Sequence, residues 1–255
     1  MARDGALGAL SLVEPLTLAG DQIVPTLDAL EGLFPTGALA RGTLVDIGSR
    51  AGGARSLALA LSAAATQQGG WAAYVGLPGI DLSVGAELGV ALERVAIIDR
   101  PAPDQWATVV AALIGAFELV VIGAPPRVRS TDLRRLQARA RERGSVLVVV
   151  GGGRAVEVVR REAGLSLLID RSQWHGLGHG HGHLQARSVI VTTSGRRGAA
   201  RPRHLALWLP GFDGQVQVVD PISDDVGHHA GQDIEALLDA QADSGADIVP
   251  FPSTG

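Results

Sequence analysis

Short apolar segments alternate with longer segments of helical periodicity over the first two thirds of the chain. Strands that are apolar throughout are typical of parallel sheets, because helices cover both faces of such sheets. Alternation of strands and helices at this spacing indicates successive βαβ units. The pattern therefore predicts an α/β fold with a mostly parallel sheet. The predicted strands cover residues 44–47, 71–75, 95–98, 119–122 and 146–150, and the predicted helices cover residues 27–34, 55–68, 81–88, 104–117, 131–143 and 155–162.

Capping residues set the expected ends of several helices. Thr26 and Asp104 carry side-chain oxygens that can bond the free N–H groups of a first turn. Either Ser130 or Thr131 can do the same for the arginine-rich helix that follows. Gly144 is expected to end that helix, because glycine readily adopts the left-handed conformation of a helix C-terminus.

The pattern changes after residue 164. Strands predicted at residues 165–169, 186–193, 205–209 and 216–219 are separated by glycine-containing turns, which indicates an antiparallel extension of the sheet. The chain then becomes acidic, and one short helix is predicted at residues 233–240. Its apolar stripe consists of Ile234, Leu237 and Leu238. The predicted organisation is an irregular lead-in (1–25), one α/β domain (26–220) and a flexible acidic tail (221–255).

A glycine-rich turn links the first predicted strand to the helix at residues 55–68. This is the frame of a phosphate-binding loop, G-x-x-x-x-G-K-[ST]. Gly48 and Gly53 occupy the two glycine positions, whereas Ala54 replaces the lysine and Arg55 replaces the hydroxyl residue. The loop frame is therefore present without the side chains that hold nucleotide phosphates and magnesium. Arg55 could still contact an anion at the helix N-terminus, which leaves weak nucleotide binding open.

Composition excludes several classes of protein. The chain contains no cysteine, so it has neither disulfides nor thiolate metal sites. No apolar run is long enough to span a membrane, and the first residues lack the pattern of a signal peptide. A cytoplasmic protein is expected.

Charge is distributed unevenly, although the net charge is only −4. All 22 basic residues are arginine, and 16 of them fall within residues 127–203. Residues 204–255 carry no arginine and 9 acidic residues. The basic block predicts a contact surface for an anionic partner such as DNA, although arginines that merely solvate helix faces would give the same composition. The predicted surface consists of Arg134, Arg135, Arg139, Arg141, Arg143, Arg196, Arg197, Arg201 and Arg203.

Four histidines, His175, His179, His181 and His183, lie close together in a glycine-rich segment. Alternate side chains of a strand share a face, so three imidazoles could meet a metal ion. The interspersed glycines and the absence of nearby acidic residues favour a mobile loop that contacts DNA or protein. No metal site is predicted.

Two groups of residues resemble known families. Leu33-Phe34-Pro35-Thr36-Gly37 followed by residues 41–48 resembles the beginning of the RecA recombinase core, and the similarity of element order extends over roughly residues 27–220. The segment 174–182, the arginine-bearing hairpin after it and residues 205–210 resemble the ImuA branch, including its actinobacterial ImuA-prime type. Proteins of that branch are RecA-like accessory proteins of the inducible mutagenesis cassette. They work beside ImuB, a catalytically inactive Y-family polymerase homologue, and an error-prone replicative-type polymerase.

The RecA resemblance implies where catalytic residues should stand. Pro78 occupies the position of the catalytic glutamate, and Gly123 that of the magnesium-supporting aspartate. Residues 151–153 are glycines where RecA proteins carry a glutamine-bearing switch. Phosphoryl transfer depends almost entirely on positioning and electrostatics, so each replacement removes an essential contribution. The resemblance implies a pseudo-ATPase without a cofactor.

The expected function is a non-catalytic adaptor in SOS mutagenesis and translesion synthesis. Its expected partner is an ImuB-like protein, docked on the stripe of Ile234, Leu237 and Leu238, with an error-prone polymerase reached through it. The protein is expected in the cytoplasm and at the nucleoid after DNA damage. The alternatives are a single-stranded DNA-binding RecA paralogue that modulates recombination, and a RecA-fold ATPase that uses unconventional residues.

Overall fold

The computed structural model describes residues 22–124, 129–151, 155–177, 182–196 and 201–219. Within these ranges the chain forms α-helices, two short 3-10 helices and two sheets. The strands are β1 (Ile23–Val24), β2 (Leu39–Ala40), β3 (Leu44–Ser49), β4 (Ala72–Val75), β5 (Val95–Ile98), β6 (Leu119–Gly123), β7 (Val146–Val150), β8 (Leu165–Leu177), β9 (Gly182–Gly195), β10 (Arg203–Trp208) and β11 (Gln217–Val218). The α-helices are α1 (Ala54–Gln67), α2 (Leu82–Glu87), α3 (Trp106–Leu113), α4 (Ser130–Arg143) and α5 (Ala155–Glu162), and the 3-10 helices are Asp28–Leu33 and Leu92–Arg94.

The main sheet has nine strands in the order β11-β10-β9-β8-β3-β7-β6-β4-β5. All pairs from β8 through β5 are parallel, and the three pairs that involve β9, β10 and β11 are antiparallel. This confirms the predicted α/β fold with a mostly parallel sheet and an antiparallel C-terminal extension. The strand β3, which leads into the glycine-rich turn, lies between β7 and β8 in the sheet.

Two apolar clusters cover the two faces of this sheet. Val45 and Ile47 of β3 point to the cluster that contains α1, whereas Leu44 points to the cluster that contains α3 and α4. Every residue of α1 from Leu57 to Thr66 is buried. The continuous apolar strands were predictable for this reason, since burial on both faces favours apolar side chains. Asp46 of β3 is a buried exception, and it pairs with Arg160.

Several helix ends differ from the predictions. Residues 28–33 form a 3-10 helix rather than an α-helix, and Thr26 does not cap it. The helix α3 begins after Gln105 without a side-chain cap, so the predicted cap at Asp104 is wrong. The N-cap of α4 is Arg129, so neither Ser130 nor Thr131 fills that role. Burial of apolar side chains, such as Leu30 and Leu33 in the 3-10 helix, stabilises these segments more than a side-chain cap would. Gly144 does end α4 in the left-handed conformation, as predicted.

The strands β8 and β9 extend far beyond their predicted ends and form a two-stranded ribbon. Trp174 pairs with Arg187, and the pairing continues to Leu177 and Gly182, with an irregularity between His175 and Leu177. The expected mobile loop is therefore wrong for His175 and His183, which lie on strands. His179 and His181 fall outside the described residues.

The His175 side chain contacts Ser188 of β9 and Trp208 of β10. Its Nε2 lies 2.9 Å from the Ser188 Oγ, and its ring lies 5.0 Å from the Trp208 ring. In the described parts of the chain, no group of three or more metal-ligating side chains is close enough to hold a metal ion. Among those same residues, no helix is long and apolar enough to cross a membrane.

Other predictions concern segments at the two ends. Ile23 and Val24, which the predicted irregular lead-in includes, form β1 and pair with β2. The earlier residues of the lead-in fall outside the described ranges, as do Arg197 and the tail from residue 220 with Ile234, Leu237 and Leu238.

The only tyrosine of the chain, Tyr74 on β4, is fully buried and its hydroxyl bonds the Ser62 Oγ of α1. Burial raises the pKa of Tyr74 from 10.0 to about 12, against a smaller opposing effect of the Ser62 hydrogen bond. Because the folded pKa exceeds the unfolded one, Tyr74 supports stability fully below pH ~10 and less as the pH rises toward ~12. The loss across this window should be about 2–3 kcal/mol.

The absorbance of tyrosinate measures the pKa of Tyr74 directly, because the chain contains a single tyrosine. We expect the native protein to titrate near pH 12 and the protein in denaturant to titrate near pH 10. Tyr74→Phe, the control, should abolish the absorbance change. Coincident titration of native and denatured protein would show that the hydroxyl is accessible to solvent.

Candidate functional site

A crevice lies at the carboxyl ends of β3, β4, β6 and β7, where ligands of open α/β sheets usually bind. Its volume is about 580 Å³. It is formed by the glycine-rich turn, the first turn of α1 and the residues that follow the other strands. The lining residues are Ser49, Gly52, Gly53, Ala54, Arg55, Ser56, Gly76, Leu77, Pro78, Gly123, Ala124, Val150, Gly151 and Arg187.

The turn between β3 and α1 is held by its own polar groups. The Ser49 hydroxyl donates to the Gly52 carbonyl oxygen at 2.6 Å and accepts from the Ala51 N–H at 3.1 Å. Gly52 and Gly53 have φ of 89° and 94°, a conformation that favours glycine. Gly53 is the N-cap of α1 and makes no side-chain cap, so the first-turn N–H groups of α1 remain available at the crevice.

Four of the positions expected to carry ATPase chemistry border this crevice. Ala54 and Arg55 begin α1, Pro78 follows β4 and Gly123 ends β6. Among the described residues that line the crevice, none is a carboxylate. Magnesium prefers oxygen ligands such as carboxylates, so the lining offers it no charged ligand.

Close packing explains why the crevice lining has glycine at positions 123 and 151. A Cβ on Gly123 would overlap the carbonyl oxygen of Gly76, and a Cβ on Gly151 would overlap the Cβ of Ala124. A larger residue at either position therefore requires the backbone to shift. Position 123 therefore lacks a carboxylate in part because the strand ends leave no room for a Cβ there.

Arg187 of β9 reaches the glycine-rich turn and was not predicted. Its guanidinium lies so close to the turn that a Cβ on Gly52 would be 2.8 Å from Nη2. The Nε donates to the Ser172 Oγ at 2.7 Å, and the Cζ lies 5.1 Å from the centre of the Trp174 ring. Only 9% of Arg187 is exposed, and burial lowers its pKa. No local sequence signal identifies it, because β9 carries several other polar residues.

The arginines of the predicted anionic surface do not all lie together. Arg134 donates two hydrogen bonds to the Glu162 carboxylate, both at 2.9 Å, whereas Arg143 packs against Gly115 on another side of α4. Arg203 donates to the carbonyl oxygens of Phe34 and Pro35, so it supports the fold. The exposed members among the described residues are Arg134, Arg135, Arg139, Arg141, Arg143, Arg196 and Arg201.

A second cavity, of about 810 Å³, brings part of this set together with two arginines that were not predicted. Arg134 and Arg196 line it beside Arg160 and Arg161 of α5. Glu162 is the only acidic residue in its lining, and Arg134 holds the pKa of that carboxyl below its usual value. Arg160 and Arg161 pair with Asp46 and Glu157, which lie outside this lining. The described lining itself therefore carries more positive than negative charge, although its neighbours partly neutralise it.

Comparison with known proteins shows that the crevice, apart from Arg187, lies within a shared segment. Residues 32–155 match the family described as MT3502 N-terminal domain. The chain is 44% identical over 101 residues to the uncharacterized protein Rv3395c of Mycobacterium tuberculosis, an overlap of 39% of this chain and 49% of that protein. The chain thus spans about half the length of that relative. The matched family segment includes β3 to β7, and it ends before the ribbon of β8 and β9.

Proposed function

We propose that this protein is a non-catalytic, RecA-like adaptor in DNA-damage-induced mutagenesis and translesion synthesis. The observation that carries the proposal is the crevice, which keeps the position and glycines of a phosphate loop but has no carboxylate in its lining. The glycine-rich turn after β3 and the crevice at the ends of parallel strands support the RecA-like assignment. A phosphate-loop frame without catalytic side chains suits a protein that works through its contacts.

The proposed partner is an ImuB-like Y-family polymerase homologue, through which an error-prone polymerase would be recruited. Two features support this choice. Residues 174–182 and 205–210 resemble the ImuA branch, and the similarity to a mycobacterial protein agrees with its actinobacterial type. The proposal places the protein in the cytoplasm and at damaged nucleoid DNA.

The proposed docking element is the amphipathic helix predicted at residues 233–240. It lies outside the described residues, so its support is the sequence pattern of Ile234, Leu237 and Leu238. Residues 204–255 contain 9 acidic residues and no arginine, which suits a tether that stays in solvent. A helix this short is only marginally stable alone, and binding in a partner's apolar groove would stabilise it.

Co-purification with the ImuB-like partner tests this docking element. We expect the full chain to retain the partner, and we expect loss of binding for a chain that ends at Asp220 and for Leu237→Asp/Leu238→Asp. Burying two unpaired carboxylates in an apolar groove should weaken binding at least a hundredfold, because each costs several kcal/mol.

The matched control is Gln232→Asp/Ala236→Asp, which adds the same charges at two positions on the side opposite the stripe, one just before the predicted helix and one within it. This variant should bind like the wild type. Undiminished binding by the chain that ends at Asp220 would contradict the docking element and would place the interface on the α/β domain.

Single-stranded DNA binding is a second candidate, and the cavity lined by Arg134, Arg160, Arg161 and Arg196 favours it. Binding to phosphates releases counterions, so affinity should fall steeply with salt. Retention of the ImuB-like partner without any DNA binding at low salt would favour the adaptor. Salt-sensitive DNA binding without partner binding would favour the recombination-modulating alternative.

A further inference from the structure

Two positive groups lie close together at the crevice. One is the Arg187 guanidinium, which Ser172 and the Trp174 ring hold in place. The other is the N-terminus of α1, where free N–H groups and the helix dipole create a positive potential. Gly52 and Gly53 bring these groups together, since the guanidinium lies against both glycines.

Neither positive group is neutralised by a residue in the part of the chain that the structure describes. No described carboxylate lies within salt-bridge distance of Arg187, and its Nη atoms have no hydrogen-bond partner among the described residues. Arg55 adds a further positive charge to the lining, which has no acidic residue. A charge that is nine-tenths buried is costly unless it is paired. The arrangement is therefore complementary to an anion held between Arg187 and α1.

We propose that the crevice binds a phosphate group of a small ligand without a metal ion, with Arg187 supplying the charge that the loop lysine supplies elsewhere. A guanidinium and a helix N-terminus both match phosphate oxygens in geometry and charge. The volume of about 580 Å³ is that of a small-molecule site. The proposal needs no magnesium, because Arg187, Arg55 and the N–H groups of α1 supply the positive charge, and the described lining offers no carboxylate to hold a metal ion. The site is independent of the adaptor proposal, because it stands whether or not a polymerase homologue binds.

Calorimetric titration with inorganic pyrophosphate and with ADP, both in excess EDTA, tests the site. We expect the wild type to bind both. Arg187→Gln should weaken binding at least about tenfold, the usual effect of losing a charge-assisted hydrogen bond to a buried group. Arg171→Gln is the matched control: Arg171 is exposed on the other strand of the ribbon and does not line the crevice, so affinity should stay within about twofold.

Ser56→Asp tests the site without altering Arg187. Ser56 lies in the first turn of α1 and lines the crevice. A carboxylate there suits the helix dipole, so this variant should fold, and its charge should exclude pyrophosphate. Absence of pyrophosphate and ADP binding by the wild type, or unchanged affinity in Ser56→Asp, would overturn the proposal. Tighter binding of oligothymidylate than of either small ligand would overturn the assignment to a small ligand.

Discussion

Gly123→Ala should lower the free energy of unfolding by about 3 kcal/mol, the upper range for forcing extra atoms into a packed site. The added Cβ would overlap the Gly76 carbonyl oxygen and would lie 3.3 Å from the Leu77 Cδ2. Gly76 cannot move aside freely, because its N–H donates to the Ile98 carbonyl oxygen at 2.8 Å. The strands β4 and β6 must therefore separate at their carboxyl ends.

The matched control is Gly164→Ala. Gly164 has an unstrained backbone, and a Cβ there would meet only ordinary contacts, the nearest being the Thr43 Cγ2 at 3.5 Å. Denaturant unfolding of both variants measures the difference. If Gly123→Ala were as stable as Gly164→Ala, the strand ends would be adaptable and the glycine would not be a structural requirement.

The double variant Ala54→Lys/Arg55→Thr should leave ATP turnover at background, although it restores the complete phosphate-loop pattern. The crevice would regain a phosphate-binding lysine and a hydroxyl, but no carboxylate lines it to activate water or support magnesium. A single acid–base group typically contributes about 10²–10⁴-fold to a rate, so the absence of these groups should keep hydrolysis undetectable.

Release of phosphate from ATP, with magnesium and single-stranded DNA present, measures this outcome. Turnover by the double variant would show that a group outside the crevice lining can supply the missing carboxylate. Circular dichroism should establish that the variant folds, since both substitutions lie on the first turn of α1.

The parallel half of the fold could be predicted because its signals are local. The strand β7 is apolar at each of its five positions, and all five are buried. The end of α4 at Gly144 was predictable for a similar reason, since the requirement for a left-handed residue acts on one position. The N-cap positions of α3 and α4, Gln105 and Arg129, were not predictable, because packing elsewhere determined where those helices begin.

The ribbon and the crevice required the three-dimensional structure. Polar and glycine residues from Ser172 to Leu177 look like a loop, yet they form a strand because β9 supplies hydrogen bonds along the ribbon. The loop glycines were recognisable by spacing. Arg187 could not be recognised in this way, because only the order of strands in the sheet brings β9 close to the glycine-rich turn, which lies far away in the sequence.

The central proposal, that this α/β scaffold does not catalyse phosphoryl transfer, is tested most directly by ATP turnover of the wild-type protein. The account predicts phosphate release equal to the blank at every protein concentration, with magnesium and single-stranded DNA present. Turnover that increased in proportion to protein and disappeared in Arg55→Ala, while remaining in Arg171→Gln, would contradict it.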